Sequence, residues 1–257
     1  MNTEHRRIIL LVNDSYFSYL LAHNLIKQRH EDISAIIFSQ SIKNSKRKIF
    51  NILRKSSKRF FIYRVFVQLL TIFFYRKYTV NHLAEKYKIN TLSIEKLKDL
   101  EINIAKNTIG LAFNFDIVLT QKFIDKFDKG IFNVHASKLP LDKGISPVLW
   151  AFARGDSEIW STIYKMDAGI DSGDVFKQIK IDVDKGDSAF SLYKKVCKIS
   201  GAELNSCFEE LFADPILTKQ ETLSNPSYFS WPDQKFEKML RKSKRKLIST
   251  KDILITN

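Results

Sequence analysis

The chain of 257 residues is poor in the residue types that mark several protein classes. Its two cysteines, eight glycines and five prolines exclude a disulfide-stapled miniprotein and a collagen-like repeat. The longest apolar stretch, residues 60–75, is too short to span a bilayer and is interrupted by Arg64 and Gln68. Cys197 and Cys207 match no zinc or redox spacing. We therefore expect a chain with no transmembrane helix and no metal site, located in the cytoplasm.

Acidic residues are scarce beside basic ones, with 28 Asp and Glu against 42 Lys and Arg and a formal charge of +14. The excess is local. Residues 43–78 carry eleven Lys or Arg and no acidic residue, and residues 235–251 carry eight Lys or Arg against Glu237 alone. The rest of the chain is slightly acidic, so the positive charge belongs to two segments and not to the whole surface.

Hydrophobic periodicity predicts an α/β fold. Ile8–Val12 and Ile33–Phe38 have the length and apolar character of buried strands, and Phe17–Gln28 between them has helical spacing. This alternation indicates an open, mostly parallel sheet with crossover helices. Further predicted elements are strands at Thr108–Phe113, Ile131–Val134, Ser161–Lys165 and Val175–Ile181, a helix at about Thr120–Phe127, and a helix over Asp187–Phe212 with Asp187 as its cap and a break at Gly201. Residues 213–257, with Asn225-Pro226 and Trp231-Pro232, predict an extended tail that ends in a short helix.

Residues 43–78 interrupt the alternation as an insertion. At 3.6 residues per turn one narrow face is polar, comprising Arg54, Ser57, Lys58, Arg64, Gln68, Thr71, Tyr75 and Arg76. The remaining surface is covered by aromatic and aliphatic side chains, namely Phe60, Phe61, Ile62, Val65, Phe66, Leu69, Leu70, Phe73 and Phe74. Such a wide apolar face requires a partner. The partner is either the domain itself or a second subunit of a homodimer, or else an anionic membrane surface. Nucleic acid is disfavoured because the bulky face is apolar and not arranged for base stacking.

The middle of the chain contains the residues best suited to chemistry. Asn133 and His135 are two positions apart on a predicted strand, so they point to one face near its carboxyl end, where open α/β sheets bind ligands. Asp171 lies in a loop, residues 167–174, that is rich in glycine and aspartate. Composition alone leaves that loop as either a solvated turn or a wall of a site.

Four stretches in order resemble the folate-dependent formyltransferases: Asn133-Val134-His135, Ser137-Lys-Leu-Pro140, Gly144-Ile-Ser-Pro-Val-Leu-Trp-Ala151 and Met166-Asp-Ala-Gly-Ile-Asp-Ser-Gly-Asp174. That family includes glycinamide ribonucleotide transformylase, methionyl-tRNA formyltransferase and the N-formyltransferases of nucleotide-linked amino sugars. The resemblance implies a Rossmann-like catalytic domain over residues 1–212, with residues 213–257 as a carboxyl-terminal extension.

The resemblance also implies a reaction, the transfer of a formyl group from N10-formyl-tetrahydrofolate to an amine without a metal. Asn133 would donate to the oxyanion, His135 would stabilise it and help move a proton, and Asp171 would orient His135 and relay the proton. The residues implied for the folate pocket are Ile117, Val118, Ser137, Lys138, Leu139, Pro140, Asp167, Gly169 and Ile170. Asp167 and Asp174 are also expected to shape their loop. Lys143 departs from the family, since many members carry Arg there, and Lys lacks the bidentate fork.

The layout favours one branch of the family. Methionyl-tRNA formyltransferases append a folded domain for which residues 213–257 are too few, and glycinamide ribonucleotide transformylases end soon after the core. The expected acceptor is therefore a nucleotide-linked amino sugar for polysaccharide biosynthesis. Tyr228, Phe229 and Trp231 would either stack on its base or pack on the core. The alternatives are the tRNA or glycinamide ribonucleotide acceptor, and an inactive folate-binding or interaction protein of the same fold.

Overall fold

The computed structural model of the protein describes residues 6–40, 54–97, 100, 102–224 and 227–253. Residues 43–53 of the predicted insertion and Asn225-Pro226 lie outside this range. The strands are β1 Arg7–Val12, β2 Ile33–Ser39, β3 Thr91–Ile94, β4 Thr108–Phe113, β5 Ile131–His135, β6 Lys143–Gly144, β7 Glu158–Lys165, β8 Val175–Asp182 and β9 Tyr228–Phe229. The helices are α1 Tyr16–Arg29, α2 Lys58–Phe73, α3 Val80–Tyr87, α4 Gln121–Ile124, α5 Pro147–Arg154, α6 Ala189–Ser206, α7 Phe208–Ala213, α8 Gln234–Ser243 and α9 Thr250–Ile253.

A seven-stranded sheet in the order β3-β2-β1-β4-β5-β7-β8 forms the centre of the molecule. The five strands from β3 to β5 pair in parallel, and β7 and β8 extend the sheet antiparallel. The predicted α/β fold is confirmed. The chain passes from β1 to β2 on one side and reaches β4 on the other, so the strand order reverses beside β1. At such a point the loops at the carboxyl ends diverge and leave a crevice.

The strands form because their apolar runs are buried on both sides. Every residue of β4 is buried, as are all of β1 from Ile8 onward and all but one of β2. Five of the described helices, α1, α2, α3, α6 and α8, begin at a side-chain cap, as when Ser15 accepts a hydrogen bond from the Ser18 amide. The predicted helix at Thr120–Phe127 is shorter than expected and contains only α4.

The predicted cap and break of the long carboxyl-terminal helix are both wrong. Ser188 caps α6 in a reciprocal capping box with Ser191, while the Asp187 carboxylate accepts from the Ser191 hydroxyl. The helix continues through Gly201 and ends at Ser206. A Cβ atom built at Gly201 would lie 2.4 Å from the Leu21 carbonyl oxygen of α1. Gly201 therefore permits two helices to pack closely and does not break one.

The insertion contributes helix α2, which packs on the domain through Phe60, Tyr63 and Leu70. The tail is not the extended appendage that its composition predicted. Its helix α8 buries Phe236 and Leu240 against α5 and the core beside it.

The tail and α2 also contact each other. The Ser57 amide donates to the Pro232 carbonyl at 2.9 Å, the Phe60 and Trp231 rings lie 6.2 Å apart, and Arg59 lies 3.7 Å from Glu237. The two basic segments of the sequence are therefore neighbours in space. In the described part of the chain, no helix is long and apolar enough to cross a membrane.

We expect Gly201→Ala to destabilise the fold by about 1–3 kcal/mol, since the added methyl group must push α6 away from α1. Helix propensity alone predicts the opposite sign, a gain of up to about 1 kcal/mol. Urea unfolding measures the difference. Gly186→Ala is the matched control, because a Cβ at Gly186 meets no atom within 4 Å. A Gly201→Ala protein as stable as the wild type would contradict the close packing.

Candidate active site

A cavity of about 1080 Å³ opens at the carboxyl ends of β1, β4 and β5, where the strand order reverses. Its volume slightly exceeds the usual range for small-molecule sites, roughly 300–1,000 Å³. Residues 13–17 after β1, residues 114–119 after β4, the end of β5, the loop 166–171, helix α2 and the tail all contribute to its lining. The cavity therefore has room for two substrates side by side.

Asn133 and His135 both line this cavity from the end of β5, as their spacing predicted. The Asn133 amide nitrogen donates to the Tyr164 hydroxyl at 2.9 Å. The buried His135 ring places Nε2 3.1 Å from the Asp142 carbonyl oxygen and Nδ1 3.6 Å from Asp171 Oδ1. A carbonyl oxygen only accepts, so Nε2 carries a proton, and Nδ1 faces the carboxylate at slightly more than hydrogen-bonding distance.

Asp171 is held in one orientation by the groups around it. Its Oδ2 accepts from the Gly144 amide at 2.8 Å and its Oδ1 accepts from the Tyr164 hydroxyl at 3.0 Å. Gln220 fixes the backbone on the other side by donating to the carbonyl oxygens of Asp171 and Gly173. The residue has φ of 50°, a left-handed conformation that aspartate tolerates better than most residues. The loop thus presents the carboxylate to His135.

Tyr164 is the site residue that the sequence did not reveal. It lies on β7 directly opposite Asn133 in the antiparallel register, and its hydroxyl joins Asn133 to Asp171. Burial raises the pKa of Tyr164 well above its usual range, with a further increase from the nearby Asp171 charge. The hydroxyl therefore keeps its proton and donates a hydrogen bond to the Asp171 carboxylate. A lone tyrosine in a strand carries no motif, so no sequence signal could have identified it.

Five of the predicted folate-pocket residues line the cavity: Ile117, Val118, Asp167, Gly169 and Ile170. Val118 and Ile170 are 72% and 53% exposed, so the loops 114–119 and 166–171 each present an aliphatic side chain to the open cavity. Asp167 also shapes its loop, as expected, by accepting from the Gly169 amide at 3.0 Å and the Ser172 hydroxyl at 2.6 Å.

The other four, Ser137, Lys138, Leu139 and Pro140, are not among the residues that line the cavity. The Ser137 hydroxyl donates to the Leu141 carbonyl at 2.8 Å, and the buried Leu139 donates its amide to Thr162. Lys138 lies over the Trp160 ring, 4.3 Å from its centre. These contacts place the segment behind the site, where it supports the turn that carries Asp142.

Helix α2 turns its narrow polar face toward the cavity. Arg64, Gln68 and Thr71 line it, together with Lys55 and Arg76 at either end of the helix. The ion pairs of the described residues include none to Lys55, Arg64 or Arg76. This wall therefore offers three cations to a ligand. Helical periodicity predicts the polar face of α2, but it does not predict that this face lines a cavity.

The aromatic residues of the tail lie in different surroundings, and stacking on a base stays a prediction. Phe229 packs on the core by stacking on Trp150, with ring centroids 4.6 Å apart. Tyr228 and Trp231 line the cavity, and Tyr228 is 57% exposed. Lys143 pairs with Tyr228 in the short β6–β9 ladder and does not line the cavity.

The arrangement supplies a hydrogen-bond donor, an imidazole and an oriented carboxylate around one point of an open cavity. Such a set stabilises a developing oxyanion and moves a proton, the two requirements of acyl transfer to an amine. Among the residues that the structure describes, no three His, Cys, Asp or Glu side chains group closely enough to hold a metal ion.

Comparison with known proteins places this site in a family. The family model for formyl transferase matches residues 75–205, which include Asn133, His135, Tyr164 and Asp171. Methionyl-tRNA formyltransferase of Francisella tularensis subsp. novicida is 28% identical over 142 residues, or 55% of this chain and 43% of that protein. The chain thus spans less than half the length of this relative.

Solved structures share the fold. WlaRD, a sugar 3N-formyl transferase solved with dTDP and 5-N-formyl-THF, aligns over 97% of this chain and 81% of its own, with a TM-score of 0.64 and 18% identity. The N-formyltransferase from Helicobacter canadensis, solved with folinic acid and dTDP-3-aminofucose, aligns over 87% of this chain and 70% of its own, with a TM-score of 0.59 and 17% identity. With the family model matching half of its length, this chain belongs to the formyl transferase family.

Proposed function

We propose that the protein transfers a formyl group from N10-formyl-tetrahydrofolate to the amino group of a nucleotide-linked amino sugar. The observation that carries this proposal is the cluster of Asn133, His135, Tyr164 and Asp171 at the wall of a cavity large enough for both substrates. The family match supports the reaction, and the neighbours solved with folates and dTDP compounds support the substrates.

In the proposed reaction the amine nitrogen attacks the formyl carbon and the carbonyl oxygen becomes an oxyanion. Asn133 has a second amide hydrogen beside the one it gives to Tyr164, and this hydrogen would bind the oxyanion. Collapse of the intermediate breaks the bond between the formyl carbon and N10. The attacking nitrogen loses one proton and N10 gains one. His135 and Asp171 would carry that proton, directly or through water.

The donor would lie between the loop 114–119 and the loop 166–171. The exposed Val118 and Ile170 side chains would contact the flat pteridine ring, and backbone groups of both loops would bind its polar edge. This assignment uses five of the nine residues that the family resemblance implied. The other four would act through the turn behind His135.

The acceptor would lie on the other side of the catalytic cluster, between α2 and the tail. A nucleoside diphosphate carries negative phosphates and a flat base, and this wall offers the cations of Lys55, Arg64 and Arg76 with the rings of Tyr228 and Trp231. Helix α2 and the tail, unlike Arg76, lie outside the part of the chain that the family model matches, as expected of parts that choose the acceptor.

Several expectations stay predictions. They are the division into a catalytic domain, residues 1–212, and an extension, residues 213–257, the homodimer, the cytoplasmic location and the role in polysaccharide biosynthesis. Equilibrium sedimentation of the purified chain tests the homodimer directly. A constant monomer mass across the concentration range would rule it out.

The reaction itself is tested with purified protein, N10-formyl-tetrahydrofolate and a panel of dTDP- and UDP-linked amino sugars. We expect release of tetrahydrofolate with at least one sugar, and a loss of about 100-fold to 1000-fold in kcat for Asn133→Ala or Asp171→Asn. Asp174→Asn removes the same charge from the same loop outside the cavity and should keep full activity. Turnover of charged initiator tRNA in place of every sugar would overturn the acceptor assignment.

Tyr164 should act as a positioning residue. We expect Tyr164→Phe to lower kcat about tenfold with little change in either KM, because Asn133 and Asp171 lose their shared partner. The double variant Asn133→Ala/Tyr164→Phe should lose less activity than the product of the two single losses, because the bond between Tyr164 and Asn133 is lost only once. Tyr63→Phe is the control, since the buried Tyr63 hydroxyl has no hydrogen-bond partner in the described part of the chain. Additive losses would show that Tyr164 acts on something else.

Arg64 should bind the acceptor and not the donor. We expect Arg64→Gln to raise KM for the nucleotide sugar about tenfold, through loss of a charge-assisted contact, while kcat and KM for the folate change little. Lys58→Gln removes the same charge from the same helix outside the cavity lining. Equal effects of the two variants would mean that the cavity wall does not bind phosphates.

A further inference from the structure

Helix α2 has a second face that the catalytic cavity does not use. Its polar stripe lines the cavity and Phe60, Tyr63 and Leu70 are buried, but a third set of side chains remains in solvent and does not line the cavity. We call this face the outer ridge; it consists of Phe61, Ile62, Val65, Leu69 and Phe73. Phe61, Val65, Leu69 and Phe73 recur every four residues, so they form one continuous row along the helix.

The exposure of the outer ridge is unusual for so many large apolar side chains together. Ile62 is 63% exposed and Phe73 is 72% exposed, and the other three lie between 42% and 47%. Scattered apolar residues on a surface need no explanation, but a contiguous patch of this kind marks an interaction site.

The charged residues of the segment that carries the outer ridge are all positive. Residues 54–78 contain no acidic residue, and four of their seven Lys or Arg do not line the cavity: Arg54, Lys58, Arg59 and Lys77. The basic tail adds to them, because Ile62 and Arg59 share a cleft of about 270 Å³ with Lys246 and Ile248. Two segments far apart in sequence thereby form one basic surface around an apolar row.

We propose that the outer ridge of α2 binds the surface of an anionic lipid bilayer. The aromatic and aliphatic side chains would enter the acyl boundary while the surrounding Lys and Arg side chains contact the negative headgroups, which is the arrangement of an interfacial amphipathic helix. The helix lies along the bilayer and does not cross it. The catalytic cavity, which is lined by the polar stripe and not by the outer ridge, would remain open to water.

The positive charge near the outer ridge favours a lipid surface over a second copy of the chain as its partner. A two-fold contact through the outer ridge would bring the same basic surface of both copies together, with no carboxylate in residues 54–78 to compensate. An anionic lipid surface supplies the opposite charge. The apolar row and the cations then favour the same partner.

Flotation of the full chain with lipid vesicles tests the proposal independently of any enzyme activity. We expect the protein to float with vesicles of phosphatidylglycerol and phosphatidylcholine in roughly equal parts, and to stay behind with phosphatidylcholine alone or when salt is raised. Phe61→Ser/Phe73→Ser should lower the vesicle-bound fraction at least tenfold. Ile216→Ser is the control, because Ile216 is 88% exposed and lies outside the outer ridge.

Thermal unfolding of the same variants shows whether a loss of vesicle binding comes from a folding defect. Because the outer ridge is exposed, Phe61→Ser/Phe73→Ser should unfold at the wild-type temperature. The proposal is overturned if the wild type does not float with anionic vesicles or if it binds neutral vesicles equally well. It is also overturned if Ile216→Ser loses as much binding as the ridge variant. A wild-type dimer that the ridge variant converts to monomer, without flotation of either, would assign the ridge to a second copy instead.

Discussion

The site depends on the hydrogen bonds that the Asp171 carboxylate accepts, because they join separate parts of the chain. The carboxylate accepts from Tyr164 on the antiparallel extension of the sheet and from the Gly144 amide in the turn beyond β5. Gly144 in turn pairs with Phe229 of the tail. A carboxylate that accepts two such bonds cannot rotate freely, so its distance to His135 is set by the fold.

The same constraint explains why the polar residues converge at one place. Parallel strands end at one edge of a sheet, and the reversal of strand order beside β1 opens that edge into a crevice. β5 carries Asn133 and His135 to this edge, and β7 returns antiparallel so that Tyr164 lies opposite Asn133. The sheet topology thus builds the proposed catalytic cluster, while α2 and the tail close the side on which the acceptor is proposed to bind.

Much of the sheet could be predicted from sequence, because strands buried on both faces are continuous apolar runs. β1, β2, β4 and β5 follow this rule, whereas the exposed residues of β3 gave no such signal. Asn133 and His135 were predictable from their spacing, and Asp171 only from the family pattern. Tyr164 was not predictable, since its role comes from an antiparallel register that no local pattern encodes.

Helix α2 shows a second limit of sequence reasoning. Periodicity separates a polar face from an apolar one, but it does not say which face lies inward. Here the polar stripe faces a cavity and part of the apolar face stays in solvent, the reverse of the usual arrangement. Gly201 is a similar case, because a glycine that permits close helix packing looks in sequence like one that breaks a helix.

The central claim is that this cluster moves a formyl group between two nitrogens, and carbon-13 labelling tests it most directly. With N10-[¹³C]formyl-tetrahydrofolate and the preferred nucleotide-linked amino sugar, NMR should show the labelled carbon as a formamide on the sugar, and the signal should vanish with Asp171→Asn. Label found only as free formate, or formamide formed equally well by the variant, would contradict the proposed role of the site.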